Sequence, residues 1–170
     1  EFADEYATRI ARVLGRHPSE PRPRKDGKWV VEVTSKVLYE LFKKPIDIGR
    51  IRPFVEHCER CVAMFLRGFF DSEGCVDKLG TITVHNTGYQ LLLYVMYLLK
   101  KLGIETTSET PKIEKRAGTP IRDPKTGKTY HRNKDLNYLQ IRRSSNERFY
   151  NLIGFTICLL YTSPSPRDRQ

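Results

Sequence analysis

The chain has 170 residues, and its 30 Lys and Arg residues outnumber its 20 Asp and Glu residues, giving a formal net charge of +10. This length suits one domain or two small repeats, and 11% aromatic residues argue against wholesale disorder. The longest apolar run, 91–99, is about half of what a bilayer span requires, which excludes an integral membrane protein. The excess of positive charge indicates a polyanionic partner, of which nucleic acid is the commonest.

The first 57 residues alternate between amphipathic and β-branched segments. Apolar residues at helical spacing predict helices, whereas runs of β-branched and aromatic residues predict strands. Glycine and proline mark where these elements end. In chain order we predict a helix over 4–14 that Gly15 ends, a basic loop over 17–26, a strand over 28–34, a helix that Ser35 caps, and a connector bracketed by Pro45 and Pro53.

The helix predicted over 58–73 carries apolar or small residues on two faces, which predicts burial between two neighbours. The first face holds Val62, Phe65, Leu66 and Phe69, and the second holds Cys61, Met64, Gly68 and Ser72. Beyond it we predict a hairpin with strands 75–78 and 81–85, a helix over 89–102 ended by Gly103, a strand over 106–112, a polar loop over 113–135, a strand over 137–142 and a helix over 146–153.

An internal repeat with an offset of 88 residues relates the two halves. Tyr6, Ile10, Leu14 and Gly15 precede Tyr94, Leu98, Leu102 and Gly103 by that interval. The second copy has an additional helix and hairpin in front, so we expect the matching opening of the first copy to lie upstream of residue 1. We therefore predict an α+β protein with an incomplete first repeat over 1–44, a linker over 45–57 and a second repeat over 58–157.

The nonapeptide 66–74, LRGFFDSEG, is the most specific motif. Gly68 and Ser72 share a helix face, where small side chains let a second helix approach closely. Glu73 lies at the negative end of the helix dipole, an unfavourable place for a carboxylate unless a cation neutralises it. If a twin helix brings a second carboxylate, the pair either shares a proton or binds a metal such as Mg²⁺. Asp71 lacks this position and is interpreted as structural.

This nonapeptide resembles the LAGLIDADG motif of homing endonucleases. The similarity continues through the hairpin over 74–86, the helix YVMYLLKKLGIETT, the loop DPKTGKTY and the segment FYNLIGFTI. It spans 1–157 and is closest to the archaeal branch of the family.

The resemblance implies a fold of two αββαββα repeats, whose saddle-shaped antiparallel sheets lie in the major groove of double-stranded DNA. It implies that Glu73, with the backbone carbonyl of Ser72, binds Mg²⁺ and that Asn86 orients a metal-bound water, although an ordinary turn role for Asn86 stays open. Metals in such a site activate water and stabilise the developing charge. The intact parent is expected to be a monomer.

Period-two alternation phases the predicted strands. It directs Ile82, Val84, Leu139 and Ile141 to the core, and it leaves polar side chains facing a DNA groove or solvent. Basic loops over 22–28 and 112–134 are suited to phosphates, and Arg142 is suited to guanine. The DNA-binding candidates are Thr81, Thr83, His85, Tyr138, Gln140, Arg142, Arg143, Lys125 and Lys128.

The four cysteines are too few for a disulfide framework and favour a reducing, cytoplasmic setting, nucleoid-associated in a prokaryote if the resemblance holds. Cys58 and Cys61 form half of a zinc motif, but the chain has no second Cys-x-x-C, and His57 does not complete four ligands. We therefore interpret the pair as core or incidental packing.

The composition changes abruptly at 158–170, which resembles a translated sequencing adapter, with a natural flexible tail as the alternative. It stands where the family has a catalytic lysine. With one of two expected metal acids, this chain is not expected to cut both strands. An intron RNA maturase, an intein endonuclease domain and a non-catalytic DNA-binding protein remain open as alternatives.

Overall fold

The polypeptide divides into two units between Asp47 and Ile48. The computed structural model describes residues 2–124 and 126–156, so the predictions for Lys125 and for 158–170 lie outside the described residues. The first unit comprises α1 (Phe2–Leu14), β1 (Arg22–Pro23), β2 (Trp29–Val30) and α2 (Lys36–Phe42). The second comprises α3 (Ile48–Val55), α4 (Glu59–Glu73), β3 (Gly74–Val76), β4 (Ile82–Asn86), α5 (Tyr89–Lys101), β5 (Lys112–Lys115), β6 (Pro120–Arg122), β7 (Thr129–His131), β8 (Leu136–Gln140), a 3₁₀ turn (Arg143–Ser145) and α6 (Asn146–Leu152).

The first unit has two helices joined by a short antiparallel hairpin of β1 and β2. The Ser35 hydroxyl accepts a hydrogen bond from the Leu38 amide at 3.3 Å, which confirms the predicted cap of α2. The strand predicted over 28–34 is reduced to two residues. Its partner strand, Arg22–Pro23, follows Pro21 and contains Pro23, and neither proline has an amide hydrogen to donate to a ladder.

A four-stranded antiparallel sheet, in the order β3-β4-β8-β5, forms the centre of the second unit. Ile82, Val84, Leu139 and Ile141 are at most 1% exposed, as the period-two phasing predicts. Helix α5 packs against the sheet with Leu92, Val95, Leu98 and Leu99 fully buried. The rings of Phe70, Phe149 and Phe155 close the core, with 4.8 Å between the centroids of the first two.

Helix α4 buries one face, with Val62, Leu66 and Phe70 inside the second unit. The opposite face is open, because Gly68 and Ser72 are exposed and a β-carbon on Gly68 would meet nothing within 4 Å. The prediction of burial on two faces is therefore wrong for the described residues.

Helices α1 and α5 end in the same way. In α5, Gly103 has a φ of +68°, and the Ile104 amide donates to the Leu99 carbonyl at 2.9 Å. In α1, Gly15 has a φ of +62°, and the Arg16 amide donates to the Ala11 carbonyl at 2.9 Å. Both are Schellman-type caps, for which glycine is favoured by its positive φ. They occupy equivalent positions in the 88-residue repeat.

Three segments differ from the sequence predictions. The predicted connector contains α3, whose Ile51 and Val55 lie four residues apart and are buried; this burial offsets the hydrogen bond lost at Pro53. In place of the strand predicted over 106–112, the structure has β5, because the hydrogen-bond ladder with β8 begins only after Pro111. The predicted polar loop holds an antiparallel hairpin of β6 and β7.

Among the described residues, no helix has the length and apolar character needed to cross a bilayer.

Candidate nucleic-acid interface and metal site

The junction between α4 and β3 positions Glu73. Gly74 belongs to β3, so the helix passes into the strand with no loop between them. A β-carbon on Gly74 would lie 2.4 Å from the Phe70 carbonyl oxygen, which explains why glycine occupies this position. Glu73 is exposed, and within residues 2–124 and 126–156 its carboxylate has neither a hydrogen-bond nor an ion-pair partner. An unneutralised carboxylate therefore stands at the negative end of the α4 dipole.

The residues beside Glu73 have separate structural roles. The Asp71 carboxylate accepts a hydrogen bond from the Thr156 amide at 2.8 Å, in agreement with its structural interpretation. The Ser72 hydroxyl donates to the Phe69 carbonyl at 3.0 Å within the helix. Because the last carbonyl groups of a helix have no intrahelical partner, the Ser72 carbonyl oxygen can still accept a ligand.

Asn86 lies at the end of β4, on the side of the sheet where α4 ends. Gly74, which directly follows α4, pairs with Val84, and Asn86 lies two residues beyond Val84 in β4. Asn86 is therefore near the end of α4. Its side-chain oxygen accepts a hydrogen bond from the Gly88 amide at 2.7 Å and so shapes the turn into α5. The turn role is present, and a contribution to water orientation remains a prediction.

The surface of the sheet opposite the core, called the outer face below, is mostly polar. His85 pairs with Tyr138 across β4 and β8, and their rings stack with centroids 5.9 Å apart. The Nδ1 atom of His85 lies 2.8 Å from a carboxylate oxygen of Glu114. The outer face consists of Cys75, Thr83, His85, Lys112, Glu114, Tyr138 and Gln140.

The sulfur of Cys75 lies 2.9 Å from the hydroxyl of Thr83, which joins β3 and β4 on this face. Gln140 pairs directly with Thr83 in the register of β4 and β8. The predicted candidates Thr83, His85, Tyr138 and Gln140 are thus brought together on one surface.

The other predicted DNA contacts are not part of this surface and lie in turns and in the β6–β7 hairpin. Thr81 is in the hairpin turn, where its amide donates to the Asp77 carboxylate at 2.8 Å. Arg142 approaches Glu105 at 3.3 Å in an exposed ion pair. Arg143 begins the 3₁₀ turn, and its charge contributes to the lowered pKa of Asp77, whose main cause is the hydrogen bond from the Thr81 backbone. Lys128 is exposed beside the tip of the β6–β7 hairpin.

Sequence reasoning missed a charged cluster around Glu56, at the end of α3. Its carboxylate is 2.6 Å from Arg52, 2.8 Å from Lys101 and 3.0 Å from the Tyr97 hydroxyl. The hydrogen bond from Lys101 is the largest cause that lowers the pKa of Glu56 to about 2. The i,i+4 spacing of Arg52 and Glu56 could have predicted that ion pair. The contact with Lys101 could not be predicted from spacing, because Lys101 is 45 residues away.

Cys58 and Cys61, interpreted from the sequence as core or incidental packing, lie outside the buried core. Cys58 is exposed and Cys61 is half-buried at the N-terminus of α4. A hydrogen bond with His57 is the main cause that lowers the pKa of Cys58 to about 7, and hydrogen bonding to Cys58 raises the pKa of Cys61.

Comparison with known proteins finds a matching family and a curated relative. A family model described as a LAGLIDADG-like domain matches residues 60–154. An uncharacterized protein of Methanocaldococcus jannaschii is 33% identical over 136 residues, which cover 78% of this chain and 45% of that protein. The chain therefore spans less than half the length of this curated relative.

Solved structures of the homing endonuclease I-DmoI share the fold. Its mesophilic variants superpose with a TM-score of 0.56 at 20% identity, covering 90% of this chain and 66% of theirs. A structure of I-DmoI in complex with DNA and Mn gives 0.56 at 23% identity, covering 89% and 71%. One with DNA and Ca gives 0.57 at 22% identity, covering 86% and 63%.

Proposed function

Because this chain belongs to the LAGLIDADG homing endonuclease family, we propose that it binds double-stranded DNA through the outer face of its sheet and hydrolyses phosphodiester bonds with a divalent metal held at Glu73. One observation carries the proposal: the carboxylate of Glu73, exposed and without a partner among the residues that the structure describes, lies directly before a strand of the polar sheet surface. An acid for metal binding and a surface for reading base edges are thus adjacent in the chain.

The residues on the outer face have the chemistry that base recognition requires. Gln140 offers an amide that can contact adenine, and Thr83 offers a hydroxyl to either purine or pyrimidine edges. Tyr138 and His85 add an aromatic surface. The net charge of +10 supplies attraction to phosphates, and the exposed Lys128 and Arg122 of the β6–β7 hairpin extend it beyond the sheet.

Residues of the candidate metal site fit a hard divalent cation. The Glu73 carboxylate and the Ser72 carbonyl supply oxygen ligands, which Mg²⁺ prefers. A bound divalent ion supplies an activated water and stabilises charge that develops on the phosphate. Within the chain, Glu73 places a carboxyl group at the end of α4, next to the Ser72 carbonyl, and Asn86 places a polar side chain at the neighbouring end of β4.

Exposed Gly68 and Ser72 support a further part of the proposal: the open face of α4 receives a second motif helix, so that the intact protein is a monomer with two pseudo-symmetric repeats. We extend the proposal to an intron-encoded enzyme of archaeal type that acts on the nucleoid in the cytoplasm. The archaeal relative supports the source, and the complexes of I-DmoI with DNA and Mn or with DNA and Ca support the partner and the type of cofactor.

Selection from a random duplex library tests recognition. Repeated gel-shift rounds with the purified chain should enrich a defined DNA sequence, and Gln140→Ala should relax the preference at one or two base pairs. Asn151→Ala, which removes an exposed amide on α6, is the matched control and should leave the selected sequence unchanged. Enrichment of single-stranded or structured RNA over duplex DNA would replace the endonuclease proposal with the maturase alternative.

A supercoiled plasmid carrying the selected site tests the chemistry. Strand nicking should require Mg²⁺ or Mn²⁺ and should disappear in Glu73→Gln, while gel-shift affinity in Ca²⁺ remains within a few-fold of the parent chain. Nicking that persists in Glu73→Gln would refute the assigned role of this acid. Sequence-selective binding without nicking under any metal would favour the non-catalytic DNA-binding alternative.

A further inference from the structure

A second group of metal-ligating side chains lies at the opposite end of α4 from Glu73. It consists of His57, Cys58 and Cys61, called the HCC cluster below. One ligand atom from each residue lies within 4.8 Å of the other two, and the two sulfur atoms are 3.3 Å apart. His57 and Cys58 are exposed, so the cluster is open to solvent.

The start of α4 brings these side chains together. Cys58 is the N-cap residue, with an extended backbone at φ −158° and ψ 166°, and its sulfur accepts a hydrogen bond from the Cys61 amide at 3.4 Å. A residue at the N-cap and one three positions later lie side by side in a helix start. His57 directly precedes the cap and lies in the short connection after α3. The local fold therefore holds two thiols and one imidazole at one point.

We propose that the HCC cluster binds one Zn²⁺ ion, with the imidazole of His57 and the thiolates of Cys58 and Cys61 as ligands and solvent in the fourth position. Zinc is bound tetrahedrally by these ligand types, at about 2.3 Å for sulfur and about 2.0 Å for nitrogen. Those bond lengths place neighbouring ligand atoms about 3.5–3.8 Å apart. The sulfur atoms need to separate by about half an ångström to reach that geometry.

The chemistry of this site differs from that at Glu73. Thiolate and imidazole ligands favour zinc and other borderline or soft metals, whereas Mg²⁺ prefers oxygen. Helix α4 has 15 residues, which at 1.5 Å each separates the two ends by about 20 Å. The HCC cluster therefore shares no ligand with the candidate catalytic site, and its zinc ties the α3–α4 connection to the first turn of α4. Thiol protons displaced on binding go to solvent.

Cobalt substitution and zinc titration of the reduced chain test the proposal. All proteins carry Cys158→Ser, so that Cys75 is the one remaining cysteine of the sequence outside the cluster. Co²⁺ should produce thiolate-to-metal charge transfer and tetrahedral ligand-field absorption, and one equivalent of Zn²⁺ should displace it. An excess of Mg²⁺ should not. Zinc should also raise the midpoint of thermal unfolding, a readout independent of any DNA cleavage.

Cys58→Ser and Cys61→Ser should each weaken zinc binding by about 100-fold or more, since even outer-shell changes cost 10- to 100-fold. Serine is itself a favoured N-cap residue, so Cys58→Ser removes the ligand while keeping α4 capped. Cys75→Ser is the matched control and should bind zinc like the parent. Zinc binding that survives Cys58→Ser and Cys61→Ser would overturn the proposal. So would a Cys58–Cys61 disulfide that forms under air in the presence of equimolar zinc, with dissolved oxygen as the two-electron acceptor, because it would assign the pair a redox role.

Discussion

Replacing Glu56 by Gln removes the carboxylate charge that Arg52, Lys101 and two tyrosine hydroxyls contact, while the side chain keeps nearly the same shape. The Glu56 side chain is 13% exposed, so the lost ion pairs are only partly replaced by water. We expect a loss of stability of the second unit, because the two cations and the Tyr94 hydroxyl keep their positions without a charged acceptor.

The pKa of Glu56 sets the size of this loss. Its neighbours lower the pKa from the ordinary 4.5 to about 2, the hydrogen bond from Lys101 being the largest cause. At about 1.4 kcal/mol per pH unit, this difference of about 2.5 pH units corresponds to at most about 3.5 kcal/mol of unfolding free energy. The side chains of Arg52 and Lys101 are 55% and 41% exposed, so solvent screening reduces the effect. We expect about 1–2 kcal/mol at neutral pH.

The pH dependence gives a sharper test than the magnitude. A carboxylate with a lowered folded pKa stabilises the protein fully above its unfolded pKa of 4.5, and this contribution disappears as the pH falls toward about 2. Urea unfolding followed by circular dichroism should therefore show a gap between the parent and Glu56→Gln that is full at neutral pH and closes in acid. Glu109→Gln, an exposed acid without these partners, should show little loss. An equal gap across the whole acid range would refute the electrostatic explanation.

Three substitutions test other parts of the fold by the same unfolding assay. Gly74→Ala places a β-carbon 2.4 Å from the Phe70 carbonyl oxygen, so the backbone must shift, and we expect a loss of about 1–3 kcal/mol. Gly68→Ala meets open space inside the same helix and should instead stabilise it by about 0.5–1 kcal/mol; a loss there would show that Gly68 is already covered. Phe70→Ala leaves a cavity beside Phe149 and should cost about 3–5 kcal/mol, and a loss below about 1 kcal/mol would mean that the aromatic cluster is not the core.

Local patterns predicted the elements of the second unit where periodicity and end signals agree. In β4 and β8, alternation assigned Ile82, Val84, Leu139 and Ile141 to the core because a pleated strand turns successive side chains to opposite faces. At the end of α5, Gly103 marked the cap because its positive φ is unfavourable for other residues. Placement of Thr83 and Gln140 on one surface follows from the same alternation, although their predicted role in DNA binding remains to be tested.

The features that sequence analysis missed depend on contacts between distant residues. Pro53 argued for a connector, but the burial of Ile51 and Val55 outweighs one lost hydrogen bond and keeps α3 helical. The partners of Glu56 lie on two separate helices, α3 and α5, and no local pattern in the sequence indicates that these two helices come together. The HCC cluster is a local exception: the sequence offered His57, Cys58 and Cys61 but fewer than four ligands, whereas the structure brings one ligand atom of each within 4.8 Å of the other two.

The loop-free junction at Gly74 has a consequence for fidelity. On the proposed function, the acid that supports cleavage and the strand that reads the duplex move together, because no flexible residues separate them. A duplex that fits the outer face badly would then displace the carboxylate from the scissile phosphate as well as lose base contacts. Discrimination between target and near-target DNA would be larger in the cleavage rate than in the binding affinity.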